Sequence, residues 1–251
     1  MKIRFAYGRT ASRPDFRELS EAPYDQVIGA GVVVGNPDLN RAVIDSVDAR
    51  WEWYPTKDDN LSCALFYKKL YDPIEVVIRP GSNITTTYQN APSAINLGLE
   101  IEFRKTFGFL DERLRDVYAS GNVSFIYSDV DLSGDIGVAT SSKRPLQGQS
   151  PYVVNLTIGY DNPDSKISGA ILYNVFGRRI ASIGYYEMPD VYEQPYHQLD
   201  IVGSWKIDSH WSAKMKIKNL IGGDVEYLQG GQVKESYAKG REFGLGVSWS
   251  R

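Results

Sequence analysis

The sequence predicts an all-β fold, an antiparallel up-and-down transmembrane β-barrel of about ten strands. Three observations lead to this prediction. Apolar and polar residues alternate with period two along segments of about ten residues, the length of a tilted membrane-spanning strand. Short and long connections alternate between these segments. Aromatic residues stand at segment ends, where the headgroups of a bilayer would lie.

The hairpin at residues 152–176 shows the pattern most clearly. Two long strands flank an Asp-Asn-Pro-Asp turn. In the first strand Leu156 and Ile158 share an apolar face, whereas Asn155 and Thr157 lie on the opposite face. Because the side chains of a strand point alternately to its two sides, each arm has one apolar and one more polar surface.

The same pattern recurs along the chain. Strands are predicted at residues 2–8, 42–54, 61–71, 94–104, 118–129, 152–160, 167–176, 196–207, 211–218 and 241–250. In the segment 94–104, Glu100, Glu102 and Arg104 occupy the polar face. That face must contact water or form a charge network, because unpaired charges are unstable in a dry core. The segment 61–71 has apolar residues on both faces, so its pattern does not define a lipid-facing side.

The connections differ in length in a regular way. Short turns are predicted near 56–60, 161–165 and 208–210, with a moderate one near 107–117. Long connections are predicted near 12–41, 72–92, 130–150, 177–194 and 221–239. In an up-and-down meander all short turns fall at one end and all long connections at the other. This asymmetry is typical of outer-membrane barrels.

Composition excludes several classes of protein. The 251 residues contain no run of ~18 apolar residues that could form a membrane-spanning helix. The net charge is −3 without a basic stripe, so nucleic-acid binding has no electrostatic basis. Cys63 is the single cysteine, which excludes an intrachain disulfide. Residues 1–10 lack the apolar centre of a signal peptide, so we expect any signal peptide to lie outside this sequence.

Period-two alternation alone also fits a soluble β-sandwich or a closed soluble barrel, in which the apolar face points inward. Strand length, the asymmetry of the connections and the aromatic residues at strand ends favour the membrane barrel. A soluble β-rich binding domain would require the charged face of 94–104 to point outward and the aromatic face to be buried.

Seven segments resemble the C-terminal barrel of TonB-dependent outer-membrane receptors. They are GRTASRPDFREL (8–19), GNPDLNRAVIDSVDARWEWYP (35–55), LFYKKLYDPIE (65–75), RPLQGQSPYVVNLTIGYDNP (144–163), YNVFGRRI (173–180), KNLIG (218–222) and REFGLGVSWS (241–250). Their order and their coverage of nearly the whole chain make the resemblance specific.

The resemblance implies a barrel of about 22 strands around an N-terminal plug. It implies extracellular long loops, periplasmic short turns and a location in the outer membrane of a Gram-negative bacterium. The function would be import of a scarce nutrient with energy from the TonB system, without catalysis or a cofactor. A siderophore–metal complex, cobalamin, an oligosaccharide or a peptide would be the ligand. Outer-membrane lipid, the plug domain and the TonB complex would be the partners, the last two lying outside this chain.

We therefore expect residues 1–251 to form a single domain, the C-terminal part of the barrel, with plug and signal peptide absent. About ten strands are fewer than half of the family's ~22. The chain also ends in Trp249-Ser250-Arg251, whereas the family usually ends on an aromatic residue. Two forms remain open: a fragment with free edges at 2–8 and 241–250, or a small barrel closed on itself with adhesive or protease- or lipase-like loops.

The connection 177–194 and the residues after it carry the candidate ligand contacts. These are Tyr185, Tyr186, Glu187, Tyr192, Glu193 and Tyr196. Aromatic side chains with a few polar groups suit sugars or metal chelates. Tyrosines at the membrane rim are the competing interpretation.

The sequence offers little chemistry for catalysis or for metal binding. His197 has the acidic neighbours Asp190, Glu193 and Asp200, but neither a Gly-x-Ser-x-Gly nor a His-Glu-x-x-His motif occurs. The segment 129–135 resembles the first half of a calcium loop without its terminal glutamate. We predict a solvated acidic loop there, no metal site and no catalytic residue.

Overall fold

The computed structural model describes residues 1–25, 31–79, 85–133, 139–141 and 143–250. One α-helix of a single turn, α1 (Phe16–Leu19), and a 3₁₀ turn (Glu112–Leu114) are the helical elements of this part of the chain. None of the described helices has the length and apolar character needed to cross a membrane.

Nineteen strands form in the described residues. They are β1 (Lys2–Ser12), β2 (Tyr24–Asp25), β3 (Val32–Val33), β4 (Ala42–Trp53), β5 (Asn60–Tyr71), β6 (Ile74–Arg79), β7 (Thr85–Asn90), β8 (Ser93–Thr106), β9 (Val117–Asp131), β10 (Lys143–Arg144), β11 (Tyr152–Asn162), β12 (Ile167–Phe176), β13 (Arg179–Ser182), β14 (Val191–Glu193), β15 (Gln198–Lys206), β16 (Trp211–Lys218), β17 (Asp224–Gln229), β18 (Gln232–Ala238) and β19 (Glu242–Trp249).

Ten long strands form one antiparallel sheet in the order β1-β4-β5-β8-β9-β11-β12-β15-β16-β19, which we call the main sheet. The two-residue strand β10 pairs with the last two residues of β9, Val130 and Asp131. All ten predicted strands are confirmed. The predicted fold class, an all-β antiparallel up-and-down sheet, is confirmed as well. The edges β1 and β19 do not pair with each other, so the barrel wall is open at both ends of the sheet.

The main sheet has its apolar side chains on the outside. The register aligns Ile158, Ile171, Ile201, Ile217 and Phe243 across five neighbouring strands. The face that these residues share leaves large apolar side chains exposed along every strand of the sheet. An apolar outer face of this extent is what a lipid-embedded barrel presents.

The structure defines the lipid-facing side of β5, which the pattern left open. Trp51 is opposite Cys63, so Cys63 lies on the outer face, and Phe66 points to the inner face. The ring of Phe66 covers Gly98 of β8 so closely that a Cβ there would lie 2.3 Å from its Cζ atom. A glycine directly opposite is therefore what allows an aromatic ring to lie flat against the inner wall.

The inner face is polar and networked, as the charges of β8 predicted. One row of directly opposed residues crosses eight strands: Lys2, Glu52, Ser62, Glu102, Asn122, Asn155, Asn174 and Gln198. We call it the polar row. The Arg50 guanidinium donates to Ser62 at 2.9 Å and also to Glu102. The Asn174 amide donates to the Asn155 carbonyl oxygen at 2.6 Å.

The long connections are folded rather than irregular. They form two four-stranded sheets, β2-β3-β7-β6 and β13-β14-β17-β18. Ile78 of β6 packs against Ile180 and Ile183, which both lie in the connection 177–194. A further cluster joins Val191, Tyr196, Val225 and Tyr227. We call these two sheets, together with residues 139–141, 143–150, 183–190 and 194–196, the loop body.

Candidate ligand site in the loop body

A strained turn lies at an exposed tip of the loop body. The Met188 amide donates to the Tyr185 carbonyl at 3.0 Å, which closes a four-residue turn. Its two central residues, Tyr186 and Glu187, have φ values of 48° and 69°. Left-handed backbone costs a non-glycine residue roughly 1–2 kcal/mol. Two such residues in succession are the geometry of a type I′ turn, which usually has asparagine, aspartate or glycine at these positions.

The base of this turn is held firmly. The buried Asp190 accepts from the Gly184 amide at 2.7 Å and from the Ser141 hydroxyl at 2.9 Å. The Thr140 hydroxyl donates to the Met188 carbonyl at 2.8 Å. At Gly184 a Cβ would lie 2.1 Å from that same carbonyl oxygen, so the position requires glycine. These contacts tie the base of the tip to the segment 140–141.

The side chains at the tip are available to a ligand. The Tyr186 side chain is 56% exposed, and Glu187 and Met188 are exposed beside it. The Tyr185 and Tyr186 rings meet edge to face with centroids 6.0 Å apart. Tyr185 also packs against the cluster of Ile78, Ile180 and Ile183, which anchors the exposed ring beside it.

Tyr192 lies on β14 and packs against the same cluster as Tyr185. The Arg178 guanidinium stacks over its ring, 4.4 Å from the centroid. Burial raises the pKa of the Tyr192 hydroxyl, and the nearby Asp190 carboxylate raises it further, so the hydroxyl keeps its proton at neutral pH. The neighbouring Glu193 forms an ion pair with Arg179 at 2.7 Å.

Tyr196 is a core residue of the loop body. Its side chain is 6% exposed, and its hydroxyl donates to the Asn219 carbonyl oxygen at 2.6 Å. Burial raises its pKa. The six candidate residues thus divide into two exposed residues at the tip (Tyr186 and Glu187), two half-buried rings packed behind it (Tyr185 and Tyr192) and two residues engaged elsewhere (Glu193 and Tyr196).

Six residues of this site were not predicted as ligand contacts or their supports: Thr140, Ser141, Arg178, Gly184, Met188 and Asp190. Arg178 carries a local signal, because two adjacent arginines follow the end of β12 after a single glycine, Gly177. The other five act through contacts between segments that no local pattern indicates.

A buried ion pair connects two of the long connections. Arg144 and Glu75 are 2.7 Å apart, and each side chain is about 5% exposed. Burial raises the pKa of the Glu75 carboxyl, and the Arg144 guanidinium opposes this effect. The Gln147 amide donates to the Ala181 carbonyl at 2.8 Å, which adds a third connection to the same structure.

The acidic neighbours of His197 are bonded to other groups. Its Nδ1 lies 2.6 Å from the Tyr173 hydroxyl on the main sheet. Asp190 and Glu193 bind the groups named above, and Asp200 accepts from the Asn219 amide at 2.8 Å. No group of three or more His, Cys, Asp or Glu side chains in the described part of the chain is placed to hold a metal ion. Gly134 and Asp135 of the acidic segment 129–135 lie outside the described residues.

A family model described as TonB dependent receptor-like, beta-barrel matches residues 1–220. The chain belongs to this family. Members of this family are outer-membrane transporters and not enzymes. No curated protein sequence matches the chain.

Solved structures of TonB-dependent receptors have the same fold. The copper transporter OprC is 16% identical, with a TM-score of 0.66 over 98% of this chain and 36% of that chain. A mutant of the ferric enterobactin receptor PfeA from Pseudomonas aeruginosa is 15% identical, with a TM-score of 0.61 over 99% and 38%. The ferric-catecholate import receptor Fiu from E. coli K12 is 16% identical, with a TM-score of 0.62 over 98% and 32%. The receptor-like barrel described here thus spans about a third of the length of these proteins.

Proposed function

We propose that this receptor-like barrel is the C-terminal part of an outer-membrane receptor that imports a metal chelate with energy from the TonB system. The plug domain and the TonB complex would act from outside this chain. The observation that carries the proposal is the strained, rigidly based tip at Tyr186 and Glu187. It presents an exposed ring and a carboxylate from the loop body, with the Arg178 guanidinium in the same region.

The chemistry of the tip favours an aromatic metal chelate. Exposed rings provide stacking surfaces, and a guanidinium provides a partner for an anionic ligand. The names of PfeA and Fiu state that these relatives bind ferric enterobactin or import ferric catecholates. Cobalamin and an oligosaccharide are the other ligand classes that the experiment below distinguishes.

The polar row supports passage along the wall. Glu52 is next to the last residue of β4, where the chain enters a short turn, and Gln198 is the first residue of β15, after a long connection. From β4 to β15 the row therefore shifts from the short-turn end to the long-connection end of the inner face. A polar solute that moves beside the wall would meet hydrogen-bonding side chains over the whole height of the wall.

The test is equilibrium binding to the receptor that carries this chain, with a ferric catecholate chelate, cobalamin and a maltooligosaccharide as probes. We expect Tyr186→Ser to weaken chelate binding by on the order of tenfold, the effect of losing one anchoring aromatic contact. The matched control is Tyr237→Ser, because Tyr237 is similarly exposed on β18 but stacks on Tyr227, away from the tip.

A second variant separates the side chains from the turn. Tyr186→Asn with Glu187→Gly keeps a turn of the same hand, because asparagine and glycine adopt positive φ readily. We expect this variant to fold normally and to bind the chelate as weakly as Tyr186→Ser. Unchanged affinity for all three probes in both variants would refute the tip as the ligand site.

A further inference from the structure

We propose that the inner face of the main sheet binds an aromatic anion near its short-turn end, at the point where an imported solute leaves the barrel. The site is a cavity of about 590 Å³ on the wall from β9 to β19, which we call the exit cavity. Its lining on the inner face includes Tyr118, Ser168, Ala170, Ser204, Lys214 and Gly246. The identity of the solute rests on the proposed function, whereas the cavity and its chemistry do not.

Small residues at aligned positions form the floor of the exit cavity. Two neighbouring inner-face rows cross it, Gly159, Ala170, Val202, Lys216 and Gly244, and then Asp161, Ser168, Ser204, Lys214 and Gly246. The Ser168 and Ser204 hydroxyls are hydrogen-bonded to each other at 2.8 Å. At Gly246 a Cβ would meet no atom within 4 Å. The wall is therefore recessed here, and a flat ring can approach its backbone closely.

Apolar and aromatic side chains border this recess. Leu172 and Val202, both on the inner face, are 37% and 40% exposed. On the other side, Tyr118 lies so close to Gly159 that a Cβ there would lie 2.2 Å from the Tyr118 Cζ atom. The Arg104 guanidinium covers the Tyr118 ring, 3.6 Å from its centroid, and holds the ring against the wall. An aromatic solute that binds in the recess removes apolar surface from water, which favours it over a sugar.

Lys214 gives the exit cavity its preference for an anion. Its ammonium group forms no ion pair or hydrogen bond with any residue that the structure describes. None of the eight inner-face positions that surround it carries a carboxylate; they are Val202, Ser204, Lys206, Ser212, Lys216, Gly244, Gly246 and Ser248. An anionic group in the recess would therefore meet a free ammonium without a competing carboxylate beside it.

The nearest carboxylates on the inner wall are held by other groups. Glu242 binds two neighbouring lysines, Asp200 accepts from a backbone amide at 2.8 Å, and Asp208 accepts from two backbone amides of the turn after β15. Asp161 lies at the far end of the row, three strand spacings or about 14 Å from Lys214. The ammonium in the middle of the cavity is thus available to a ligand.

The exit cavity continues the route that the polar row begins. Asn174 belongs to the polar row and Ala170 to the cavity, and four residues along β12 correspond to about 13 Å toward the short turns. A solute that has passed the polar row reaches a recess with an apolar border, a hydroxyl pair and an ammonium. An aromatic metal chelate presents rings and anionic oxygens, which match these groups.

The first test measures equilibrium binding of salicylate, an aromatic carboxylate, to the receptor that carries this chain, in detergent. Lys214→Gln should weaken binding on the order of tenfold, the usual effect of losing one hydrogen bond to a charged group, and Lys214→Arg should retain binding. The matched control is Lys68→Gln, because Lys68 is also an exposed lysine of the inner face but lies over the Phe66 ring, outside the cavity. This control should bind like the wild type.

The second test changes the shape of the cavity. Gly246→Phe should abolish saturable salicylate binding because the ring fills the recess, whereas Gly246→Ala should leave binding unchanged. In energised cells, Gly246→Phe and Lys214→Gln should slow uptake of a ferric catecholate chelate severalfold without changing its affinity for the receptor. Tyr186→Ser should change that affinity and leave salicylate binding unchanged. The heat-dependent gel shift of a folded barrel reports on folding of every variant.

Two results would overturn the exit cavity. One is equal salicylate affinity in the wild type, Lys214→Gln and Gly246→Phe. The other is passage of a large antibiotic through these two variants without energy, which would show that the recess holds the plug instead. Chelate affinity that does not respond to Tyr186→Ser would count against the proposed function alone, because salicylate binding reports on the wall directly.

Discussion

The main sheet and the loop body place apolar residues in opposite ways within one chain. In the loop body, Ile180 is 0% exposed and sits at the centre of a cluster of isoleucines. In the main sheet, Leu245 is 87% exposed on the outer face of β19. Both regions are antiparallel sheets with alternating patterns. Alternation therefore identifies a strand, but it does not tell whether the apolar face of that strand contacts lipid or a protein core. The lengths of the strands and of the connections indicate which of the two applies.

The difference also determines what stabilises each region. The loop body depends on packed side chains and buried polar contacts, as a water-soluble domain does. The buried apolar cluster of Ala94 and Val130 lies where the main sheet meets the long connections. The backbone groups of this sheet must be paired along the ladders, because lipid offers them no partner. Substitutions should therefore have different effects in the two regions.

The largest effect is expected at the buried ion pair of the loop body. Arg144→Met should lower the free energy of local unfolding by about 3–5 kcal/mol, because it leaves a buried carboxylate without its partner. Hydrogen exchange of β6 and of residues 143–150 measures this loss. Glu75→Leu combined with Arg144→Met should restore most of the protection, because both charges are then removed. Normal protection in the single variant would contradict the structural role of the pair.

The same variant has a pH dependence of known sign. Burial already raises the pKa of Glu75, and removal of the opposing guanidinium raises it further. A carboxyl whose pKa is raised on folding favours the folded state in its protonated form. The defect of Arg144→Met should therefore shrink as the pH falls from neutral toward the ordinary range of a glutamate.

The second effect compares the same substitution in the two regions. Ile180→Ala should cost the loop body ~2–5 kcal/mol, because it opens a cavity among packed side chains. Ile158→Ala on the outer face should cost clearly less, because Ile158 is 58% exposed and lipid chains can fill the space. Limited proteolysis of the long connections and the gel shift of the folded barrel, measured for both variants, make the comparison. Equal losses would mean that the two regions are not stabilised differently.

The third and smallest effect concerns the inner wall. Gly98→Ala should destabilise the main sheet by about 1–3 kcal/mol, because the new methyl group collides with the Phe66 ring. Gly246→Ala is the control, since a Cβ at this inner position of β19 meets no atom within 4 Å. Phe66→Ala should remove the part of the Gly98→Ala penalty that the ring causes, whereas the contact of the new Cβ with the Phe125 carbonyl oxygen, at 2.9 Å, remains. Urea unfolding in detergent measures the wild type, the three single variants and the double variant.

The sequence was sufficient for the main sheet because its signals are local. Period two and strand length depend on neighbouring residues, so all ten strands could be predicted. The lipid-facing side of β5 could not, because it depends on Gly98, which is 32 residues from its partner Phe66.

The loop body depends on contacts between residues far apart in the chain. Strand β3 pairs in parallel with β7, which joins Val32 to Thr85. The many tyrosines of this connection led us to predict both Tyr186 and Tyr196 as ligand contacts. Tyr186 is exposed, but Tyr196 is buried and bonded to Asn219, which is 23 residues away. A tyrosine in a connection looks the same in sequence whether its ring is exposed or packed.

Three connections are joined by the Arg144–Glu75 ion pair and by the hydrogen bond from Gln147 to Ala181, and this limits how such a receptor can diverge. A connection that is exchanged alone for that of a relative would leave the partner residues of the other two without their contacts. Recombination would have to transfer the connections together, although they are separated along the gene by membrane strands. The short turns at 56–60 and 208–210 lie outside this network, so each of them can change in length independently of the other connections.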